Sequence, residues 1–294
     1  MQARQPRERY VARAVHSKAI TPLKQGAGFT PPWRAAVTIN PLYSLTGFIV
    51  GTLVGLTGVG GGSLMTPILV LLFNFHPAAA VGTDLLYACV TKSVGSLVHG
   101  WKRSVDWAIV GWLALGSMPA AIGALMALKA MGPPSAAVVD PIKVTLGVML
   151  FLTGLVLLFR DRITAWSRTH GQDRSPAATR NLTILLGVVV GVAVTITSVG
   201  AGAIGATALL ILYPRTPLAR IVGSDVAHAV PLTLVAGIGH WWLGTVDMSL
   251  LASLLIGSIP GIIVGSLLAS HVREAVLRTI LATILIIVAL NLIL

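Results

Sequence analysis

The chain runs to 294 residues, 55% of them hydrophobic and only 10% charged, with a mean hydropathy of +0.87. Soluble domains carry about 25% charged residues, so a soluble globular domain is excluded and an integral membrane protein is expected. A formal charge of +12 would suggest nucleic acid in a soluble protein, but these basic residues fall outside the apolar stretches, where they report topology and not nucleic-acid binding.

Residues 1–43 form a basic tail that carries Arg4, Arg7, Arg9, Arg13, Lys18, Lys24 and Arg34. It shows no apolar core with a cleavage site, so no signal peptide is expected and the tail reads as cytosolic. The first apolar segment, about 44–76, is interrupted by GLTGVGGGSLMTP (55–67), whose first eight positions hold five glycines. Plain apolar runs follow at about 79–100, 107–130 and 138–159, each near the ~20 residues that a membrane helix needs. The polar stretch 160–180 brings Arg160, Arg162, Arg168, Arg174 and Arg180, and positive segments stay cytoplasmic. A second glycine-broken segment at about 184–214 precedes three further runs, about 220–242, 247–269 and 274–294. The single cysteine, Cys89, excludes an internal disulfide and reads as a small buried packer.

The second half repeats the first. GFIVGTLVGLTGVGGGS (47–63) aligns with GVVVGVAVTITSVGAGA (187–203), and, with one residue inserted, PAAAVGTD (77–84) aligns with PLARIVGSD (217–225). His99 then meets His240, Trp101 meets Trp242, Asp106 meets Asp247, and Gly116-Ser117 with Pro119 meets Gly257-Ser258 with Pro260. If the tail and the 160–180 stretch both face the cytoplasm, an even number of crossings separates them. Counting each glycine-broken segment as one interrupted crossing gives four. The expected fold is therefore all-α: a polytopic membrane protein of about eight transmembrane helices in two four-span repeats, 44–160 and 184–294, joined by a cytosolic linker 161–183. The repeats would run parallel about an axis along the membrane normal.

Gly200-Ala201-Gly202-Ala203-Ile204-Gly205 matches G-x-G-x-x-G literally, with Asp225 about 20 residues on. The first copy lacks the third glycine and no soluble βαβ pattern follows, so a dinucleotide site is excluded. In a membrane, non-helical backbone is tolerated only where it lines protein or a watery cavity. Where a helix restarts, its first N–H groups are unpaired and carry partial positive charge, which suits an anion. Close helix packing by small residues is the simpler alternative. The substrate-binding candidates are Thr57, Gly58, Gly60, Gly61, Gly62 and Ser63 in the first copy, and Thr197, Ser198, Gly200 and Gly202 in the second.

Asp84 and Asp225 open the helices that follow the proline-led turns at Pro77 and Pro217. They read equally as helix caps and as proton-coupling or gating groups. Lys92 lies mid-helix, where a lysine is expensive unless it snorkels or meets an anion. Its counterpart is Thr233, so the copies differ here. His99 and His240 stand beside Trp101 and Trp242, which favours interfacial anchoring over proton sensing. Asp106 and Asp247 begin helices, where an acid complements the dipole. No cluster has metal-ligand spacing, and no cofactor is implied.

The paired G-x-G-x-G segments, the following P-x₄-GT/SD, the terminal histidine and the V-D helix start resemble the TauE/SafE sulfite exporter family over about 44–294. The resemblance implies a polytopic transporter of sulfur-containing anions such as sulfite or sulfonates, in a bacterial cytoplasmic membrane with both termini cytoplasmic. Secondary transport by alternating access is expected, with protons as a coupling ion. A carboxylate in place of the sulfur anion is one alternative. An intramembrane hydrolase using Ser63 and His99 is another, but the second copy has Ala203 in place of Ser63 and offers no second dyad.

Overall fold

The computed structural model describes residues 38–57, 62–98, 105–132, 136–170, 175–268 and 274–293. Contacts divide the chain into Met1–Ala36 and Val37–Leu294. The first unit lies outside the described residues, and the second contains every element below. Among the described residues there are helices and no strand: α1 (Pro41–Thr57), α2 (Gly62–Leu71), α3 (Pro77–Val98), α4 (Trp107–Ala130), α5 (Ala136–His170), α6 (Pro176–Thr197), α7 (Ala203–Leu212), α8 (Leu218–Trp242), α9 (Met248–Leu268) and α10 (Glu274–Ile293). A helix satisfies its backbone hydrogen bonds within its own segment, which lipid requires. Among the described residues, six helices are both long and apolar enough to cross a membrane: α4, α5, α6, α8, α9 and α10. Helix α3 has the length, with 22 residues, but it carries Asp84 and Lys92.

Helix starts follow local chemistry. Asp106 Oδ1 accepts from the amides of Ala108 (3.1 Å) and Ile109 (3.4 Å), capping α4. Asp247 Oδ1 accepts from Leu250 N at 2.9 Å, capping α9. Sequence places both aspartates at helix starts to complement the dipole, and here each does so as a side-chain cap. Their own amides are held by the other half of the chain. Asp106 N donates to Ser224 Oγ at 2.8 Å and Asp247 N to Thr83 Oγ1 at 3.0 Å.

Helix α1 packs along α9, and α6 along α4. A Cβ on Gly51 would stand 2.5 Å from the Ser258 carbonyl oxygen, and one on Gly191 2.5 Å from that of Ser117. The backbones therefore touch, the use of small residues that membrane helices favour. Gly47 meets Leu254 before Gly51 meets Ser258, and Gly187 meets Leu113 before Gly191 meets Ser117, so both pairs run parallel. Corresponding positions of the two aligned segments thus make the same contact on the opposite half.

The direction of the copies differs from expectation. Helices α3 and α8 align with each other in sequence, yet Gly82 meets His240 while Gly237 meets Leu86. In α5 and α10, Gly147 meets Ile293, Gly154 meets Ile286, and Asp161 is ion-paired with Arg278. Corresponding helices are therefore antiparallel, which an axis along the membrane normal cannot produce. Nor is a glycine-broken segment one interrupted crossing. The Tyr43 ring at the start of α1 lies 5.1 Å from the Phe73 ring, just past α2. Thr183 Oγ1 near the start of α6 lies 2.8 Å from the Tyr213 hydroxyl at the end of α7. Each broken segment thus returns toward the side it came from. The even-crossing argument fails because it counted these hairpins as spans. One face of the bundle holds the start of α1, the α2–α3 link, the end of α4 and the end of α10. The other holds the end of α5, the start of α6 and the α7–α8 link.

Candidate functional site

The second helix break is built by backbone geometry. Ser198 caps α6 with φ 60, and Gly200 and Gly202 take φ 117 and 121. A side chain is strained in that region, so glycine is required at both positions. Thr197 Oγ1 accepts from Val199 N at 3.1 Å and donates to Ala193 O at 2.7 Å. Its one hydroxyl hydrogen is therefore engaged inside the break, which corrects its reading as a donor to substrate. Helix α7 begins its own ladder with Gly205 N donating to Gly200 O (3.2 Å) and Ala206 N to Gly202 O (3.1 Å). Of the first break, Gly58, Gly60 and Gly61 lie outside the described residues. The side chains of Thr57 and Ser63 do too, and so does His99. Gly62 is described only as the first residue of α2.

Two carboxylates meet the two restarted helices. Asp84 of α3 is wholly buried and accepts from Thr66 Oγ1 of α2 at 2.5 Å and from the Thr66 amide. Asp225 of α8, 2% exposed, accepts from the Gly202 amide at the start of α7. A Cβ on Gly205 would meet its Oδ1, so a side chain there would have to push the carboxylate aside. Asp225 thus holds the start of α7, whereas Asp84 holds α2 at Thr66, its fifth residue, and both are buried inside the bundle.

Lys92 joins the two halves. Its side chain is buried, and Nζ donates to Ala201 O inside the second break at 3.4 Å. The ammonium lies in electrostatic range of both Asp225 and Asp84. Asp84, Asp225, Lys92, Ser198 and Gly202 are therefore brought together from distant parts of the chain.

Around this centre lie polar groups that sequence reasoning did not single out. Ser117 Oγ of α4 lies 2.7 Å from His228 Nε2 of α8, buried at 1% exposure, and the imidazole is in electrostatic range of Lys92. At corresponding positions Tyr87 of α3 approaches Ser258 of α9, without a hydrogen bond of ordinary geometry. Asp84 Oδ1, Ser198 Oγ, Tyr87 Oη, Ser258 Oγ and His228 Nδ1 are all buried without a hydrogen bond of ordinary geometry, although Ser198 faces Asp84 as Ser258 faces Tyr87. Buried polar groups are normally satisfied, so this concentration is a candidate place for a polar guest or water. The signal was present in the sequence: Tyr87 and His228 align, as do Ser117 and Ser258, at polar positions inside apolar helices.

His240 is 3% exposed and its interfacial reading is corrected. Its Nε2 lies 2.9 Å from Thr195 O, a carbonyl in the last turn of α6, and its Nδ1 lies 2.9 Å from Thr245 Oγ1. It satisfies a carbonyl that the helix break leaves without an intrahelical partner. Trp242, 67% exposed, keeps the anchoring position, with Lys129 Nζ 4.0 Å over its ring. Behind that pair a cavity of about 320 Å³, lined by Lys129, His240, Thr245 and Ile196 among others, leads inward to the end of α6.

Comparison with known proteins now bears on this geometry. The family model for the sulfite exporter TauE/SafE matches residues 43–292. This chain belongs to the TauE/SafE sulfite exporter family. It is 40% identical over 215 residues to the probable membrane transporter protein YjnA of Bacillus subtilis (strain 168), covering 73% of this chain and 84% of that one. It is 27% identical over 217 residues to YdhB of the same organism, again a probable membrane transporter protein, covering 74% and 85%. A probable membrane transporter protein of Xylella fastidiosa (strain Temecula1) is 26% identical over 216 residues, covering 72% of this chain and 78% of its own. No solved structure matches. As a TauE/SafE family member the chain is a membrane transporter.

Proposed function

We propose that this transporter moves a small sulfur-containing anion, sulfite or an organosulfonate, by secondary alternating access through the centre where Asp84, Asp225 and Lys92 come together beside the second helix break. The observation that carries this reading is the buried Lys92, reaching from α3 to the Ala201 carbonyl of the second break with the buried Ser198 Oγ and Asp84 Oδ1 nearby. A buried cation beside restarted helix termini is chemistry for an oxyanion. Ser198, Gly200 and Gly202 of the second break belong to the proposed binding surface; Thr57, Gly58, Gly60, Gly61, Gly62 and Ser63 remain candidates from the sequence repeat alone. Two antiparallel copies meeting at this centre fit a plan in which one copy rocks against the other around a central site.

The hydrolase alternative gains nothing. Ser117 and His228 do form a close pair, but His228 Nδ1 has no partner, so the imidazole lacks the orienting acid of a catalytic triad.

The same reading gives a topology of six crossings, α3, α4, α5, α8, α9 and α10; α3 crosses despite its charges, and α6, though long enough to span, forms a hairpin with α7 as α1 does with α2. Arg160, Arg162, Arg180, Arg215 and Arg220 belong to the face of the α7–α8 link, whereas Lys129 and Lys143 belong to the face where α1 starts. The arginine face is then cytoplasmic, and α1 begins and α10 ends on the opposite side. Most of the tail's charge lies farther than about 20 residues from α1, beyond the range over which this bias acts.

Thermal stabilisation of the purified protein across sulfite, sulfonates and carboxylates tests the substrate class, because binding to the folded state raises apparent stability. Sulfur oxyanions are expected to stabilise most. A ranking led by carboxylates would replace the substrate, and no response to any anion would remove the reading. Alkaline phosphatase fused after residue 294 is expected to be active, and an inactive phosphatase fusion with a fluorescent cytosolic one would reverse the orientation.

A further inference from the structure

The start of α7 already holds an anion, and a second buried carboxylate occupies donors within α2; both belong to the protein. Asp225 accepts from the Gly202 amide that opens α7, and Asp84 accepts from the hydroxyl and amide of Thr66 in α2. A carboxylate and a sulfur oxyanion seek the same donors: backbone N–H groups, a hydroxyl and an ammonium. We infer that Asp84 and Asp225 stand in the substrate's place, and that an entering anion displaces a carboxylate which must take up a proton, so that anion and proton travel together. This rests on the anion-transport reading above.

Charge balance drives the coupling. Asp225 is faced by Lys92 from α3 and shares α8 with His228 and His240. Asp84 is faced by that same Lys92 and by the Tyr87 phenol of its own helix, and the Cys89 thiol of α3 lies in range of Lys92. Among the described residues, α2, α4, α6 and α9 contribute hydroxyls here: Thr66, Ser117, Ser198 and Ser258. With both carboxylates ionised and the histidines neutral, the one ammonium leaves the cluster at −1. An anion added without a proton would bring a second uncompensated charge into a buried site. An anion entering with a proton on the displaced carboxylate leaves the total unchanged. The displaced acid also gains an O–H, which the neighbouring buried oxygens, Ser198 Oγ and Ser258 Oγ among them, are placed to accept. The glycine at 205 belongs to the same device, because a side chain there would have to push the Asp225 carboxylate aside from the helix start.

The test is binding of 2-hydroxyethanesulfonate, whose single charge is constant between about pH 5.5 and 8, to the full-length protein in detergent. Proton uptake raises wild-type affinity as pH falls, by up to about tenfold per pH unit for one linked proton. Asp225→Asn is expected to flatten this dependence and to bind more tightly than wild type at the alkaline end. Asp84→Asn supplies the same readout from the other copy if Asp225→Asn does not fold. On the unmodified protein, titration calorimetry in buffers of different ionisation enthalpy is expected to report about one proton taken up per anion bound. No proton uptake, or a wild-type slope retained in both variants, overturns the inference while leaving anion transport standing. Failure of the wild type to bind the sulfonate or sulfite at any pH removes both.

Discussion

Replacing Lys92 by methionine probes the charge arrangement on which the centre depends. Methionine keeps most of the apolar stem that lysine lays along its neighbours, so the change removes little besides the ammonium. Asp84 and Asp225, 0% and 2% exposed, would then face each other's field without a cation. Removing one partner of a buried charge group costs roughly 3–5 kcal/mol because the remaining charge is uncompensated. At about 2–4 °C per kcal/mol for a domain of this size class, the apparent melting temperature should fall on the order of 10 °C. The assay is tryptophan fluorescence on heating in detergent at neutral pH, for which the chain supplies seven tryptophans. Adding Asp225→Asn to Lys92→Met removes one of the unpaired charges and should restore about 1–3 kcal/mol, a coupling that additive, independent sites would not show. Lys92→Met melting with the wild type, or an additive double variant, would refute the reasoning.

Other outcomes follow from the same geometry. Gly51→Leu and Gly191→Leu should each cost at least about 1–3 kcal/mol or abolish folded yield in size-exclusion chromatography, because the added atoms meet backbone of α9 or α4. Gly111→Leu, with nothing within 4 Å of an added Cβ, should behave as wild type. His240→Phe removes the ring nitrogens that meet Thr195 O and Thr245, and should cost about 1–3 kcal/mol and raise amide hydrogen exchange in the last turn of α6. With the buried Cys89 replaced by alanine, Ile196→Cys should react with a membrane-impermeant thiol reagent from the face bearing the α8–α9 link. Labelling only from the arginine face would show that the cavity beside His240 is not an entrance to the second break.

The duplication was legible because membrane helices that touch backbone to backbone tolerate only small residues at the contact. Gly47, Gly51, Gly116, Gly187, Gly191 and Gly257 are all such contacts. The helix starts at Asp106 and Asp247 were legible because their chemistry is local. Direction was not. A glycine-broken segment has the composition of a crossing whether it continues or turns back, and Tyr43 against Phe73 or Thr183 against Tyr213 can be known only in three dimensions. Counting those hairpins as crossings reversed the relative direction of the copies. At the centre, Lys92 and the two aspartates stood out as charges in apolar helices. Their mutual proximity did not, since α3 and α8 are joined by pairing and not by sequence distance. His240 was misjudged because Trp242 beside it does mark the interface, while the histidine, two residues earlier, points to a different side of α8.

The most direct test of the central claim is counterflow in proteoliposomes. Vesicles loaded with unlabelled sulfite or sulfonate and diluted into trace labelled anion should accumulate the label transiently. Empty liposomes should not, and Lys92→Met should do so poorly or not at all. Absence of counterflow for every sulfur anion by folded protein would contradict the account.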